Sequence, residues 1–152
     1  MPRRRPGALR AARGTHAGRR PPAWARELPP VDRLSTSVSA EVQWTAPGRH
    51  HPLGDLLRRY RAFLRSPGSG LRPTRAVCPA PLCALDDVAV VRDELADAYR
   101  ALPPEARYAL GRVLRLLDAE FRRRTVFDRD AATTDRSGSP RPWWHRRLYA
   151  YE

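Results

Sequence analysis

The sequence predicts a mainly α-helical fold, a small helical hairpin crossed by a third amphipathic helix. Three observations carry that reading. Residues 86–102 and 105–123 both place apolar side chains every three or four positions, which is the spacing of one helical face. Pro103-Pro104 lies between them and leaves room only for a reversal. Residues 53–65 repeat the pattern once more and supply a third member.

Taken in order, residues 1–34 show neither helical nor strand period, and Pro21-Pro22 and Pro29-Pro30 interrupt them. The segment reads as a disordered Arg/Pro-rich arm. Next, Val38, Ala40, Val42 and Trp44 alternate with Ser37, Ser39, Glu41 and Gln43, the form of a single short half-buried strand. Such a strand needs a partner, either residues 75–78, residues 125–127 or another chain. Pro52 opens the first long helix. Leu53, Leu56, Leu57, Tyr60, Phe63 and Leu64 line one side of it, Arg58, Arg59, Arg61 and Arg65 the other, and Ser66-Pro67-Gly68 stops it. Residues 66–83 follow as a loop. Asp86 and Asp87 suit the start of the next helix as cap and dipole partner, with Val88, Val91, Leu95, Ala98 and Leu102 as its stripe. Pro104 and Glu105 open the last helix, whose stripe is Ala106, Leu110, Val113, Leu114, Leu117 and Phe121. The helical domain is therefore expected over residues 35–127, with residues 128–152 as a polar linker and a Trp-Trp-Arg tail. Each large apolar side chain contributes roughly 1.5–3 kcal/mol on burial, but chain entropy cancels most of that sum. A core this small would gain from a homodimer or a partner.

The charge is uneven. All 29 basic residues are arginine, and the formal net charge is +13. Codon bias in a GC-rich genome accounts for arginine in place of lysine, not for the excess of positive charge. Residues 1–26 hold eight arginines and no acid, and residues 122–147 hold eight against Asp128, Asp130 and Asp135. Residues 84–121 carry eight acids and five arginines. A near-neutral body between cationic ends is the footprint of a protein that meets a polyanion. The other reading of the N-terminal segment is a solvated tail without a partner.

Several chemistries find little support. No apolar run approaches the roughly 20 residues of a membrane span, so no integral membrane association is expected, and no secretory leader is visible. Two cysteines make no disulfide framework, and a cytoplasmic location fits them. Cys78 and Cys83, with His50-His51 upstream, have spacing that zinc would tolerate, yet the apolar Pro-Ala-Pro-Leu between them suits buried small hydrophobes better. Asp128, Asp130 and Asp135 lack the glycine and the glutamate of a calcium loop. Asp93 with Asp97, and Asp118 with Glu120, stand beside no nucleophile, and no phosphate-loop or nucleophile-elbow motif is present. Neither an enzyme nor a cofactor is expected.

The candidate site residues lie at the two ends. Arg3, Arg4, Arg5, Arg19 and Arg20 belong to the arm. Arg122, Arg123 and Arg124 end the last helix, where cations also suit the helix dipole. Trp143, Trp144, Arg146 and Arg147 combine aromatic faces with guanidinium groups, a mixture suited to bases and phosphates. The two tryptophans are equally suited to folding back over the core.

Residues 117–148 resemble small uncharacterised actinobacterial proteins that run from a helix end through an Arg-Thr step and a polar linker to a Trp-Trp-Arg tail. The matching residues are Leu117, Asp118, Phe121, Arg124, Thr125, Asp128, Pro142, Trp143, Trp144, Arg146, Arg147 and Leu148. The resemblance covers about a fifth of the chain. It implies no activity, and it implies that the tail belongs to the fold.

Two functions follow as expectations. One is sequence-tolerant, salt-sensitive nucleic-acid binding through the arginine-rich ends. The other is a protein–protein adaptor or regulatory subunit that docks on an acidic partner, or on itself, through the hairpin and the aromatic tail.

Overall fold

The computed structural model describes residues 20–27, 30–31, 34–45, 51–68, 71 and 83–149. In chain order the helices are α1 (Ala23–Glu27), α2 (Thr36–Thr45), α3 (Leu53–Leu64), α4 (Val88–Ala101) and α5 (Pro104–Arg123). An antiparallel pair of two-residue strands, β1 (Val126–Phe127) and β2 (Arg147–Leu148), closes the chain. The fold is mainly helical, as the periodicity predicts, and the three long helices lie where the apolar stripes place them.

The helix ends follow local chemistry. Asp87 caps α4 by accepting a hydrogen bond from the Ala89 amide at 2.8 Å. Pro104 occupies the first turn of α5, where its missing N–H costs nothing. Leu102, ahead of Pro103, is forced to extended backbone, and this ends α4. α3, α4 and α5 enclose the core, in which Leu56, Leu57, Leu95, Leu110 and Phe121 are almost fully shielded from water. An aromatic cluster fills one end. Phe121 lies 6.2 Å from Tyr60, 6.1 Å from Phe63, 5.7 Å from Trp143 and 6.1 Å from Tyr149, measured between ring centroids.

Residues 38–44 are helical, which corrects the expected strand. Ser35 precedes α2, and its hydroxyl accepts from the Val38 amide at 3.4 Å, a capping arrangement. The eight-residue alternation has the form of a strand, but its apolar pairs Val38–Val42 and Ala40–Trp44 are also four apart, as on one side of a helix. Burial of Ser39 decides it. Its hydroxyl accepts from the Val31 amide at 2.8 Å and is itself within hydrogen-bonding distance of the Leu34 carbonyl. Residues 126–127 are indeed extended, but they pair with the tail, Val126 opposite Leu148 and Phe127 opposite Arg147. The other suggested partner, residues 75–78, lies outside the described residues.

The arm also ends earlier than expected. Ala23–Glu27 is helical, and Ala25, Val31 and Leu34 are buried against the body. These isolated apolar residues carry no periodicity, so the sequence pattern does not mark them. The segment 128–142 is an ordered turn rather than a plain linker. Asp135 accepts from the Ser137 and Ser139 amides at 2.8 and 3.0 Å and from the Ser137 hydroxyl at 2.6 Å. The Ser137 hydroxyl, followed by the Ser139 amide, holds the Asp135 carboxyl below its usual range. Gly138 takes a φ of +80°, which favours glycine.

One polar node sits inside this core. Asp118 of α5 accepts two hydrogen bonds from Arg92 of α4, both at 2.9 Å, and a third from the Tyr60 hydroxyl of α3 at 2.9 Å. Both charged side chains are about 10% exposed. A paired buried charge adds little net stability, whereas stranding one partner costs about 3–5 kcal/mol. Asp118→Ala should therefore lower the free energy of unfolding by that amount in denaturant titrations. Arg58→Ala removes an exposed pair with Asp55 and should change it by less than about 1 kcal/mol.

Two phenols are held protonated. Burial, then the Asp118 charge and hydrogen bond, raises Tyr60 far above its usual value, and burial followed by the Asp87 charge raises Tyr149. Above the ordinary phenol pKa of 10.0 the unfolded chain loses protons that the folded chain keeps. Stability is then whole below that pH and falls as pH rises beyond it. Phenolate absorbance should show these two tyrosines ionising only as helical circular dichroism is lost. Ionisation of all five tyrosines before unfolding would contradict this.

Candidate functional site

α5 is 20 residues long, so it spans about 30 Å. Its inner face is committed to the core, and its outer face carries Tyr108, Arg112, Arg115, Ala119 and Arg122 at alternating spacings of four and three. That spacing lines them up along the helix. All but the small Ala119 are large polar or aromatic side chains, and all five are exposed, Tyr108 at 67%. Leu116, 75% exposed, lies alongside. Acids stand only towards the ends of the helix, at Glu105 and Glu120, apart from Asp118, which is buried and already paired with Arg92. Neither Arg112 nor Arg115 has a carboxylate partner among the described residues. The result is an outward cationic stripe with one aromatic and one aliphatic side chain set into it.

The C-terminal tail docks beside this stripe. Pro142 introduces a short 3-10 turn, Trp143–His145, and Asp93 of α4 holds it. The Asp93 carboxylate accepts from the Trp144 indole N–H at 2.8 Å and lies 2.8 Å from His145 Nε2. Both tryptophans are half-buried against the core. Arg122 stacks 3.8 Å above the Trp143 ring, and Arg92 stacks 4.3 Å from the centre of the Trp144 ring, attractive cation–π geometry in both cases.

The arginines singled out from the sequence separate into distinct roles. Arg3, Arg4, Arg5 and Arg19 lie outside the described residues, and Arg20 is exposed ahead of α1. Arg122 is exposed above Trp143. Arg123 makes a two-pronged pair with Glu120 at 2.7 and 2.8 Å, which raises the guanidinium pKa and lowers that of the carboxyl. Arg124 turns inward. It is buried and donates to the carbonyls of Leu64, Ser66 and Gly68, closing the C-terminal end of α3. Arg146 lies 4.8 Å from the Phe127 ring centre. Arg147 donates to Thr125 Oγ1 and the Arg122 carbonyl, both at 2.8 Å, and to the Thr125 carbonyl. Burial, with repulsion from Arg122 as a smaller cause, pulls Arg147 below its usual pKa.

The acids of the two carboxylate pairs also part company. Asp97 pairs with Arg100 on the surface, Asp93 secures the tail and Asp118 enters the core. Cys78 and His50 lie outside the described residues, and no cluster of three or more His, Cys, Asp or Glu forms among the described ones. No described helix is long and apolar enough to cross a membrane.

The α5 stripe was missed in the sequence, although its signal is there. Tyr108, Arg112 and Arg115 share the helical face opposite the apolar stripe. Asp118 was also readable as an acid set among Leu114, Leu117 and Phe121. No family model, curated protein or solved structure matches the chain. The geometry defines a small helical domain with a cationic-aromatic outer face and a pinned aromatic tail.

Asp93 is the removable pin. Asp93→Ala deletes its bonds to Trp144 and His145, and a hydrogen bond to a charged acceptor is worth about 1.5–3 kcal/mol. Tryptophan emission should shift to the red and trypsin should cut faster at Arg146 and Arg147, with helical circular dichroism little changed. Unaltered emission and cleavage would show that the tail is held by other contacts.

Proposed function

We propose that this protein binds nucleic acid without strong sequence preference, through the α5 stripe together with the arginine-rich ends. The exposed, unpaired Arg112 and Arg115, in line with Arg122 on one helical face, carry this reading. Guanidinium groups spread along about 15 Å of helix suit a short run of phosphates, each of which is bonded in a planar fork. Phosphate contacts fix position on a strand and carry no sequence information. Arg123 and Arg146 border the same surface. Arg124 and Arg147 support it from beneath, because their donors are spent on main-chain carbonyls.

Binding measured by fluorescence anisotropy should weaken on the order of a thousandfold between about 50 and 200 mM salt if six phosphates are engaged. Replacing both Arg112 and Arg115 by alanine should reduce the slope of log affinity against log salt by about 1.8, at about 0.9 per contact. Absence of binding at the lower salt, or a slope that the double variant leaves alone, would overturn the proposal.

One observation favours a second reading, an adaptor for an acidic protein. Tyr108 and Leu116 are both large and exposed on the outer side of α5, and exposed aromatic and aliphatic side chains among arginines resemble the make-up of a protein interface. Leu116→Ala separates the two readings, since it would weaken a protein partner and leave oligonucleotide affinity within about twofold.

A further inference from the structure

A cleft of about 360 Å³ opens between α4 and α5 directly beside the stripe, and that volume is within the range of small-ligand sites. Tyr99 of α4 and Trp144 of the docked tail supply its aromatic surfaces, Leu114 and Gly111 of α5 part of the rest, and Arg115 one rim. Arg115 is thus common to the cleft and the stripe. Three features set this cleft apart from an ordinary surface groove.

Its wall contains a donor in search of a partner. Arg92 gives two of its nitrogens to Asp118, while its buried Nη1 has no hydrogen-bond acceptor. Such groups are rarely left so in the interior of a protein. A glycine also shapes the cleft, because it lets the Tyr99 ring lie close against α5. A Cβ on Gly111 would stand 3.2 Å from the Tyr99 ring and 3.6 Å from its hydroxyl, in a helix interior where alanine is otherwise preferred. The charges of the cleft, finally, leave one cation over. Arg92 is matched by Asp118 and Arg100 by Asp97, and Arg115 remains.

Aromatic faces, a polar edge at the back and one cation at the mouth match a nucleobase that carries a phosphate. We infer that the cleft accepts a single unstacked base of a single-stranded nucleic acid, whose phosphate is held at Arg115. This rests on the nucleic-acid reading above and specifies its substrate. A strand lying along the stripe brings a phosphate to Arg115, and the attached base reaches the cleft only if no complementary strand holds it in a stack. A bare phosphate would leave the partly exposed Ala96, Tyr99 and Trp144 side chains uncovered, whereas a base covers them.

The test compares a single strand of about 12 nucleotides with the corresponding duplex, at one salt concentration, on the full chain. The wild type should prefer the single strand by about tenfold, the scale of one base stacked on an aromatic ring. Ala96→Leu narrows the cleft, and Gly111→Ala displaces the Tyr99 ring that forms one of its walls. Each should abolish the preference and leave duplex affinity within about twofold. Equal binding of single strand and duplex by the wild type overturns the inference and leaves the stripe reading standing, as does a preference that both variants retain. Titration with adenosine monophosphate, with inorganic phosphate as control, reads the cleft by itself through tryptophan quenching. Quenching by the nucleotide alone, reduced in Ala96→Leu, supports the cleft as a nucleotide site; if no polymer binds, the stripe reading and the single-stranded substrate both fall. Quenching by neither, together with no binding of either polymer, overturns both.

Discussion

The three-way junction at Asp118 is the constraint on which the rest of this molecule depends. A carboxylate in an apolar core is tolerable only when its oxygens are filled, and here Arg92 and Tyr60 fill them from two other helices. The consequence is geometric. α3, α4 and α5 cannot slide or rotate past one another without exposing a charge to a medium that solvates it poorly. A helical core built from leucine and valine alone would tolerate several registers, whereas this one specifies a single register. Arg92 then extends the constraint outward, since its guanidinium also supports the Trp144 ring. The position of the tail is thereby linked to the packing of the helices.

A second pattern concerns the abundance of arginine. Each of the three core helices ends on carbonyls that have no partner within the helix, and each receives a guanidinium from elsewhere in the chain. Arg124 serves the end of α3, Arg107 donates to the Arg100 and Leu102 carbonyls at the end of α4, and Arg147 serves the end of α5. A planar group with five donors can reach two or three carbonyls at once, which an ammonium does less well. Part of the positive charge is therefore internal architecture. Among the described residues, Arg112, Arg115 and Arg122 of α5 stay exposed, as do Arg58, Arg59 and Arg65 of α3 and its end.

The stripe, the tail and the cleft share residues. Arg122 belongs to the stripe and also covers Trp143, Arg115 belongs to the stripe and borders the cleft, and Trp144 is held in the cleft wall by Asp93. The proposed recognition of phosphate and base is in this sense a property of one continuous face, built on a rigid helix and closed by a pinned segment.

Much of the fold was legible in the chain itself. Apolar residues at three-and-four spacing, with Asp87, Pro103 and Pro104 as punctuation, determined where α3, α4 and α5 lie, because local periodicity and capping act over a few residues. Over residues 38–44 the same reasoning failed, since the alternating apolar residues also recur every four positions, and the tertiary burial of Ser39 against Val31 and Leu34 goes with the helix. The candidate site was less legible. Arginine count along the sequence says nothing of direction, so Arg124 and Arg147, which face main-chain carbonyls, read the same as Arg112 and Arg115, which face water. Which side a guanidinium takes depends on the carbonyls, rings and carboxylates that distant segments bring within about 3 Å of it, and only the packed structure decides that.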